Sequence, residues 1–218
     1  GKGILATELT RKQIPVEPSA LVIGGGMSGM SAALAIADMG FKAILVEKSD
    51  RLGGNALYLS DTFAGRPIGH YVQKKIDDVL SNALIDVHLN TNIEKLEGYV
   101  GNFSTVLKTE NILTPVKHGV VIVANGANER KPDEYLYGSD ESVVTQLELD
   151  KLLAEQKLQP KALSRVVMIQ CVGSREKERM YCSRVCCNQA LRNAMAIKRI
   201  NPDAEVTMEA NPEDWSPA

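Results

Sequence analysis

Cysteine is scarce in this sequence: 218 residues contain four, all between Cys171 and Cys187. A secreted disulfide scaffold spreads its cysteines along the chain. This distribution excludes that class and points to one site in a reducing, cytoplasmic setting. Positive charge is not in excess either. Lys+Arg number 25 against 27 Asp+Glu, a net charge of −2, so nothing here recommends nucleic acid or an anionic membrane surface as a partner. No apolar run approaches the ~20 residues of a membrane helix. There is no internal repeat and no low-complexity segment. What is present is an ordinary globular balance, 44% hydrophobic and 24% charged. The length suits one large domain or two small ones. The sequence opens at Gly1 without a methionine, and the expectation is a piece of a longer protein.

Residues 1–19, polar and carrying Pro15 and Pro18, are expected as an N-terminal arm. Residues 20–23 form a short apolar run beside glycines, as in a buried parallel strand. Apolar residues at Met30, Ala33, Leu34 and Ala37 predict a helix over 28–39, with Gly40 at its C-terminal cap. A second strand is predicted at 42–46. Residues 51–70 look like loop, followed by a helix over 68–80. Alternation from 85 to 107, punctuated by Gly98 and Gly101, predicts an antiparallel hairpin or meander. Further expectations are a buried strand at 119–124, a helix over 143–156 and a strand at 165–171. Beyond these lie a long helix over 181–199 and a strand beginning at 205–208. The implied domains are 20–142 and a partial α/β unit at 143–208, ahead of an irregular tail, 209–218.

The best-defined motif is Gly24-Gly25-Gly26-Met27-Ser28-Gly29, a GxGxxG directly after a strand and opening a helix. Gly24 permits the tight turn, Gly26 lets backbone approach a pyrophosphate, and Gly29 lets helix and strand pack closely. The helix N-terminus then offers free N–H groups to phosphate. Glu47, followed by Lys48, ends the second strand, where an acid accepts hydrogen bonds from a ribose hydroxyl. Strand, glycines, helix, strand and acid occur in order, which a structural glycine turn does not require. The pattern alone admits NAD or FAD.

The cysteines are spaced C-x10-C-x3-C-C: Cys171, Cys182, Cys186 and Cys187. On a continuous helix Cys182 and Cys186 share a face, and Cys187 is turned about 100° away. That spread suits a bulky ligand, and four thiolates are the usual complement of a [4Fe–4S] cluster. Arg175, Arg179 and Arg184 are close in sequence and would offset the cluster's negative charge. A structural zinc, a redox disulfide and plain buried cysteines remain as alternatives. Adjacent Cys186 and Cys187 are awkward for tetrahedral zinc, and there is no CxxC.

Further segments carry a resemblance. Arg51-Leu52-Gly53-Gly54-Asn55 is similar to the segment after the ribose-binding acid in flavoproteins with two dinucleotide-binding domains. The run from Val121 through Ala124, Asn125 and Gly126 to Ala127 is similar to the second signature of that superfamily, with Asn125 in place of the usual Thr. These favour FAD. Where such enzymes carry a second glycine loop for NAD(P)H, this sequence has Cys171-Val172-Gly173-Ser174-Arg175. With Gly98-Tyr99-Val100-Gly101-Asn102-Phe103, and above all Cys171 to Cys187, the chain resembles the A-type subunits of heterodisulfide reductase over roughly residues 5–207.

The resemblance implies an α/β, Rossmann-type FAD-binding domain of the thioredoxin reductase-like class, with part of a second α/β unit. It maps FAD binding to Gly24, Gly26, Gly29, Glu47, Gly53, Gly54 and Gly126. Met27, Ser28, Lys48, Asn55 and Ala124 stand in the same segments. It maps a [4Fe–4S] cluster to Cys171, Cys182, Cys186 and Cys187. It further implies an anaerobe's oxidoreductase component that passes electrons to B- and C-type subunits or other electron carriers, with no catalytic acid, base or nucleophile of its own. Family members usually carry further upstream cysteines and often ferredoxin modules, which this sequence lacks. An NAD(P)H-dependent flavin disulfide reductase is the rival enzyme class, and a non-catalytic module with structural zinc the rival binding class.

Overall fold

The computed structural model describes residues 13–59 and 61–210. Most of the expected arm and tail, 1–12 and 211–218, lies outside the described residues. Two compact units emerge: Gly1–Leu52 with Ile76–Asn125, and Gly53–Lys75 with Gly126–Ala218.

The first unit is built on four parallel strands: β1 (Ser19–Ile23), β2 (Lys42–Val46), β3 (Ile85–His88) and β7 (Val120–Val123). Their order across the sheet is β3-β2-β1-β7. Helix α1 (Met27–Asp38) makes the crossover from β1 to β2 and stops at Met39 and Gly40, where φ reaches +83°. Its small residues Ala33 and Ala37 are buried, which brings the helix close to the sheet. Val22, Met30, Ala43, Leu45 and Val79 fill the core beneath it. Val79 comes from α2 (Gly69–Leu80).

An antiparallel meander, β4 (Thr91–Tyr99), β5 (Asn102–Thr109) and β6 (Ile112–His118), follows β3. The expected meander over 85–107 is therefore displaced. Residues 85–88 pair in parallel with β2, and the antiparallel part runs on to His118. Period-two alternation reads alike for both kinds of strand, so sequence could not separate them. Pro115 is accommodated because β6 is an edge strand. The strand expected to be buried at 119–124 is corrected too. β7 is itself an edge of the parallel sheet, and Val123 is 69% exposed.

In the second unit, a short 3-10 turn, Gly54–Tyr58, interrupts the expected loop at 51–70. Helix α3 (Gln146–Ala154) starts at a capping box. The Thr145 hydroxyl accepts from Glu148 N–H and the Glu148 carboxylate from Thr145 N–H. Strand β8 (Arg165–Gln170) pairs in parallel with β9 (Glu205–Ala210), with α4 (Cys186–Ile200) as the crossover. Residues 209 and 210, assigned to the tail from sequence, continue β9. Leu149, Leu153, Met168, Ala190 and Ile197 form this unit's core. Below it lies a buried ion pair: Arg192 Nη2 donates to both Asp150 oxygens at 2.5 and 2.6 Å, and Gln189 donates to the same carboxylate.

Candidate functional site

Strand register assembles the first site. Ile23 at the end of β1 lies opposite Val46 of β2 on one side and Val123 of β7 on the other. The residues following each strand, Gly24, Glu47 and Ala124, therefore arrive at one sheet edge. Because β1 sits between β2 and β7, this edge is a topological switch point, the place where open α/β sheets bind ligands.

The glycines meet distinct constraints there. Gly24 adopts φ +108°, and a Cβ on it would lie 2.4 Å from the Ala124 carbonyl oxygen. A Cβ on Gly29 would lie 1.8 Å from the Gly24 carbonyl oxygen, so α1 can enter at this distance only with glycine there. Gly26 has no such neighbour, and a Cβ there would meet nothing within 4 Å. It is the N-cap of α1, with no side-chain cap and no acid in the first turn. Met27 and Ser28 open the helix. The first turn carries no acid of its own and there is open space at Gly26, which fits a phosphate-bearing ligand.

Glu47 closes the loop from the β2 side. Its carboxylate accepts from Gly25 N–H at 2.7 Å and from the Ser49 N–H and hydroxyl at 2.8 and 2.7 Å. Burial pushes its pKa up, but these hydrogen bonds outweigh burial and hold it below the ordinary carboxylate range. It is therefore a charged acceptor with lone pairs to spare. Lys48 beside it is exposed. The first unit thus brings Gly24 to Gly29, Glu47 and Ala124 together. Gly53, Gly54, Asn55 and Gly126 fall in the second unit. Gly53 and Gly54 take φ +110° and +55° at the head of the 3-10 turn, and Gly126 takes +63°.

The second site begins where β8 ends. Cys171 takes φ +64°, which stops the strand. The backbones of Glu176 and Arg179 then exchange N–H···O bonds of 3.1 and 2.9 Å in a tight hairpin. The Ser174 hydroxyl and the Arg175 N–H both donate to the Tyr181 carbonyl, at 2.7 and 3.3 Å. This folding returns the ten-residue excursion toward its origin and brings Cys182 within electrostatic range of Cys171. Burial pushes the Cys171 thiol up, the charges of Cys186 and Cys182 push it further, and Arg175 opposes them. Cys187, although its side chain reaches solvent, is raised by partial desolvation and by Cys186, Cys171 and Cys182. The loop thus gathers the four cysteines into one neighbourhood, although among the described residues no three His, Cys, Asp or Glu side chains form a group that could hold a metal ion.

The helix expected over 181–199 is corrected. It starts at Cys186, so Cys182 is not on it and shares no helical face with Cys186. Arg184, at φ +64°, breaks the helix and directs its N–H onto Cys182 Sγ at 3.3 Å, and the Ser183 hydroxyl donates to Cys186 Sγ at 3.6 Å. Sequence reasoning missed these donors, along with Ser49 and Arg130. The Arg130 guanidinium packs against Gly173, whose Cβ would fall 2.2 Å from Nη1, and forks onto Glu134 at 3.3 Å. The one available signal was the glycine, which at φ +68° marks a close approach.

Residues 20–127 match the FAD dependent oxidoreductase family. The A 1 iron–sulfur subunit of CoB–CoM heterodisulfide reductase from Methanopyrus kandleri is 28% identical, the match covering 91% of this chain and 44% of that protein. The A-type subunit of the H2:CoB–CoM heterodisulfide,ferredoxin reductase of Methanothermobacter marburgensis is also 28% identical, over 95% of this chain and 45% of that one. The chain spans less than half the length of these relatives. The matched span with the first runs to 295 positions, more than the chain's 218 residues, so that relative carries internal segments that this chain lacks. Among solved structures, L-proline dehydrogenase from P. horikoshii aligns at TM-score 0.57 and 14% identity, over 94% of this chain and 38% of that one, and supports the fold alone.

Proposed function

Taking the chain as a relative of heterodisulfide reductase A-type subunits with an FAD-dependent oxidoreductase domain, we propose that it is an electron-transfer flavoprotein segment. It holds FAD on the glycine loop and a [4Fe–4S] cluster on Cys171, Cys182, Cys186 and Cys187. Its partners are heterodisulfide reductase B- and C-type subunits or other electron carriers, in the cytoplasm.

The observation that carries this reading is the hairpin that folds the 171–182 loop back to the start of α4, gathering the four cysteines with hydrogen-bond donors on two of their sulfurs. Four thiols gathered there, two of them receiving hydrogen bonds on sulfur, suit a thiolate-bound cationic centre. Adjacent Cys186 and Cys187 are awkward ligands for tetrahedral zinc, which favours a polynuclear centre. When bound, FAD and the cluster supply the redox chemistry. The chain supplies positions and potential. Gly26 and the first turn of α1 would hold the pyrophosphate and Glu47 would accept from a ribose hydroxyl; Ala124 in the same unit, and by the resemblance Gly53, Gly54, Asn55 and Gly126, are the further residues assigned to FAD. Arg175 places positive charge beside Cys171.

The test is an anaerobic inventory of FAD, iron, sulfide and zinc per chain after reconstitution. About four irons and four sulfides per chain are expected, with FAD bound. One zinc with no iron, or no EPR signal after reduction, overturns the cluster. Rapid bleaching of bound flavin by NADH favours the disulfide-reductase reading instead.

A further inference from the structure

Helix α4 opens without a side-chain cap. Its N-cap is Val185, and its first turn contains no acid. A serine stands two residues before that cap, in a segment where hydroxyls commonly satisfy free helix N–H groups. Ser183 does otherwise: its hydroxyl donates to Cys186 Sγ at 3.6 Å. The Arg184 N–H donates to Cys182 Sγ at 3.3 Å. Two consecutive residues thus supply hydrogen-bond donors to two of the four sulfurs, at the positive end of a fifteen-residue helix.

We propose that Ser183 is a potential-setting residue, holding the reduction potential of the cluster up through its hydrogen bond to Cys186. This rests on the cluster reading above. A donor on sulfur stabilises the more negative, reduced state more than the oxidised one, so its removal lowers the potential. Ser183 is the adjustable member of the pair. Its donor is a side chain, whereas Arg184 donates from the backbone and survives any ordinary substitution. Ser183 touches no reacting group and acts only through the Cys186 sulfur.

The test uses the reconstituted full chain and three variants: Ser183→Ala, Ser183→Thr and Ser183→Val. Thr and Val have nearly the same shape and differ in the hydroxyl. EPR-monitored redox titration measures each midpoint, and iron analysis measures each occupancy. Ser183→Thr should titrate with the parent. The Ala and Val variants should shift the reduction equilibrium about tenfold toward the oxidised form, ~59 mV for one electron. Iron loss confined to Ala and Val supports the same assignment, because it shows the hydroxyl holding Cys186. Equal midpoints in the Thr and Val variants overturn it, as does iron loss in all three. A parent chain that takes up no iron overturns the cluster reading, and this inference with it, and is recognised by the iron count alone.

Discussion

The glycine loop and the cysteine loop both follow the C-terminal end of a parallel strand, yet they are built in opposite ways. At the glycine loop the binding groups are main-chain N–H groups, delivered by strands in residue-by-residue register and by a helix that starts at Gly26. Between Gly24 and Gly29 only Gly24 enters the left-handed region. At the cysteine loop the binding groups are side chains on irregular backbone. Cys171, Gly173, Arg175 and Arg184 all have positive φ, and Cys182 and Cys187 are exposed. A non-glycine residue in that region costs of order 1–3 kcal/mol unless its surroundings hold it there. The glycine loop is held in place by strand register and main-chain hydrogen bonds. The cysteine loop sets its four thiols on irregular backbone and a helix start instead.

The sharpest way to break this comparison is at Gly29. Gly29→Ala places a Cβ 1.8 Å from a backbone oxygen, which cannot swing away like a side chain. We expect at least ~3 kcal/mol of destabilisation in thermal or urea unfolding. Gly26→Ala, with open space around it, should change stability by less than ~1 kcal/mol and instead weaken FAD retention, measured by flavin fluorescence after gel filtration. If both variants unfold alike, the loop is not a prebuilt cradle.

Next in size is the frame under the cysteine loop. Asp150 is 1% exposed and holds Arg192, on the helix that begins with Cys186 and Cys187. Asp150→Ala leaves that guanidinium buried and unpaired, so a loss of about 3–5 kcal/mol is expected in the second unit. Hydrogen exchange should localise the loss to α3, α4 and β8 while β1 and β2 keep their protection. Uniform loss would mean that the two units unfold as one, and the contrast between them would fail.

A smaller effect separates the loop from its frame. Gly173→Ala strains a backbone at φ +68° and collides with Arg130. We expect a cost of ~1–3 kcal/mol. Adding Arg130→Ala should recover the collision part and leave the backbone part, so the two changes should be non-additive in a double-mutant cycle. Strict additivity would show that Arg130 is not packed on the cysteine loop in solution.

The same contrast explains what could be read from sequence. The β1–α1–β2 unit was legible because each residue type there answers a local demand: apolar strand, glycine turn, small residues facing the sheet, Gly40 at the helix end. Even the bounds of β2 follow from Lys42 to Val46 alone. The helix predicted from 181 was not, because the 181–185 segment carries no local breaker that sequence rules recognise. Neither Gly nor Pro marks the place where Arg184 turns left-handed. The donors on Cys182 and Cys186 depend on that turn and were invisible for the same reason. The misplacement of residues 85–88 has a different origin. Alternation fixes which side chains face inward, but not whether the partner strand runs parallel or antiparallel.

The smallest expected effect concerns acid. In the first unit His118 is fully buried, stacked on Phe103, with Nε2 2.8 Å from the Thr105 hydroxyl and Nδ1 3.0 Å from the Val120 carbonyl. Burial holds its pKa below the ordinary 6.5, although the Val120 carbonyl pulls the other way. The unfolded chain therefore takes up a proton before the folded one. The associated stability is fully present above pH 6.5 and falls as pH drops below it, at no more than about 1.4 kcal/mol per pH unit for one proton. The second unit answers to Glu148. Burial raises its pKa, but hydrogen bonds from Lys131, Thr145 N–H and Tyr137 prevail and bring it from 4.5 to about 2. Its contribution is present above pH 4.5 and is lost only as pH falls from there toward 2. Between pH 6.5 and 4.5 the first unit should soften while the second holds, read as faster amide exchange in β5 and β6 than in α3. His118→Gln should flatten the slope in that window without touching α3. A slope that survives this substitution would place the acid-sensitive proton elsewhere and dissolve the distinction between the two units on this axis.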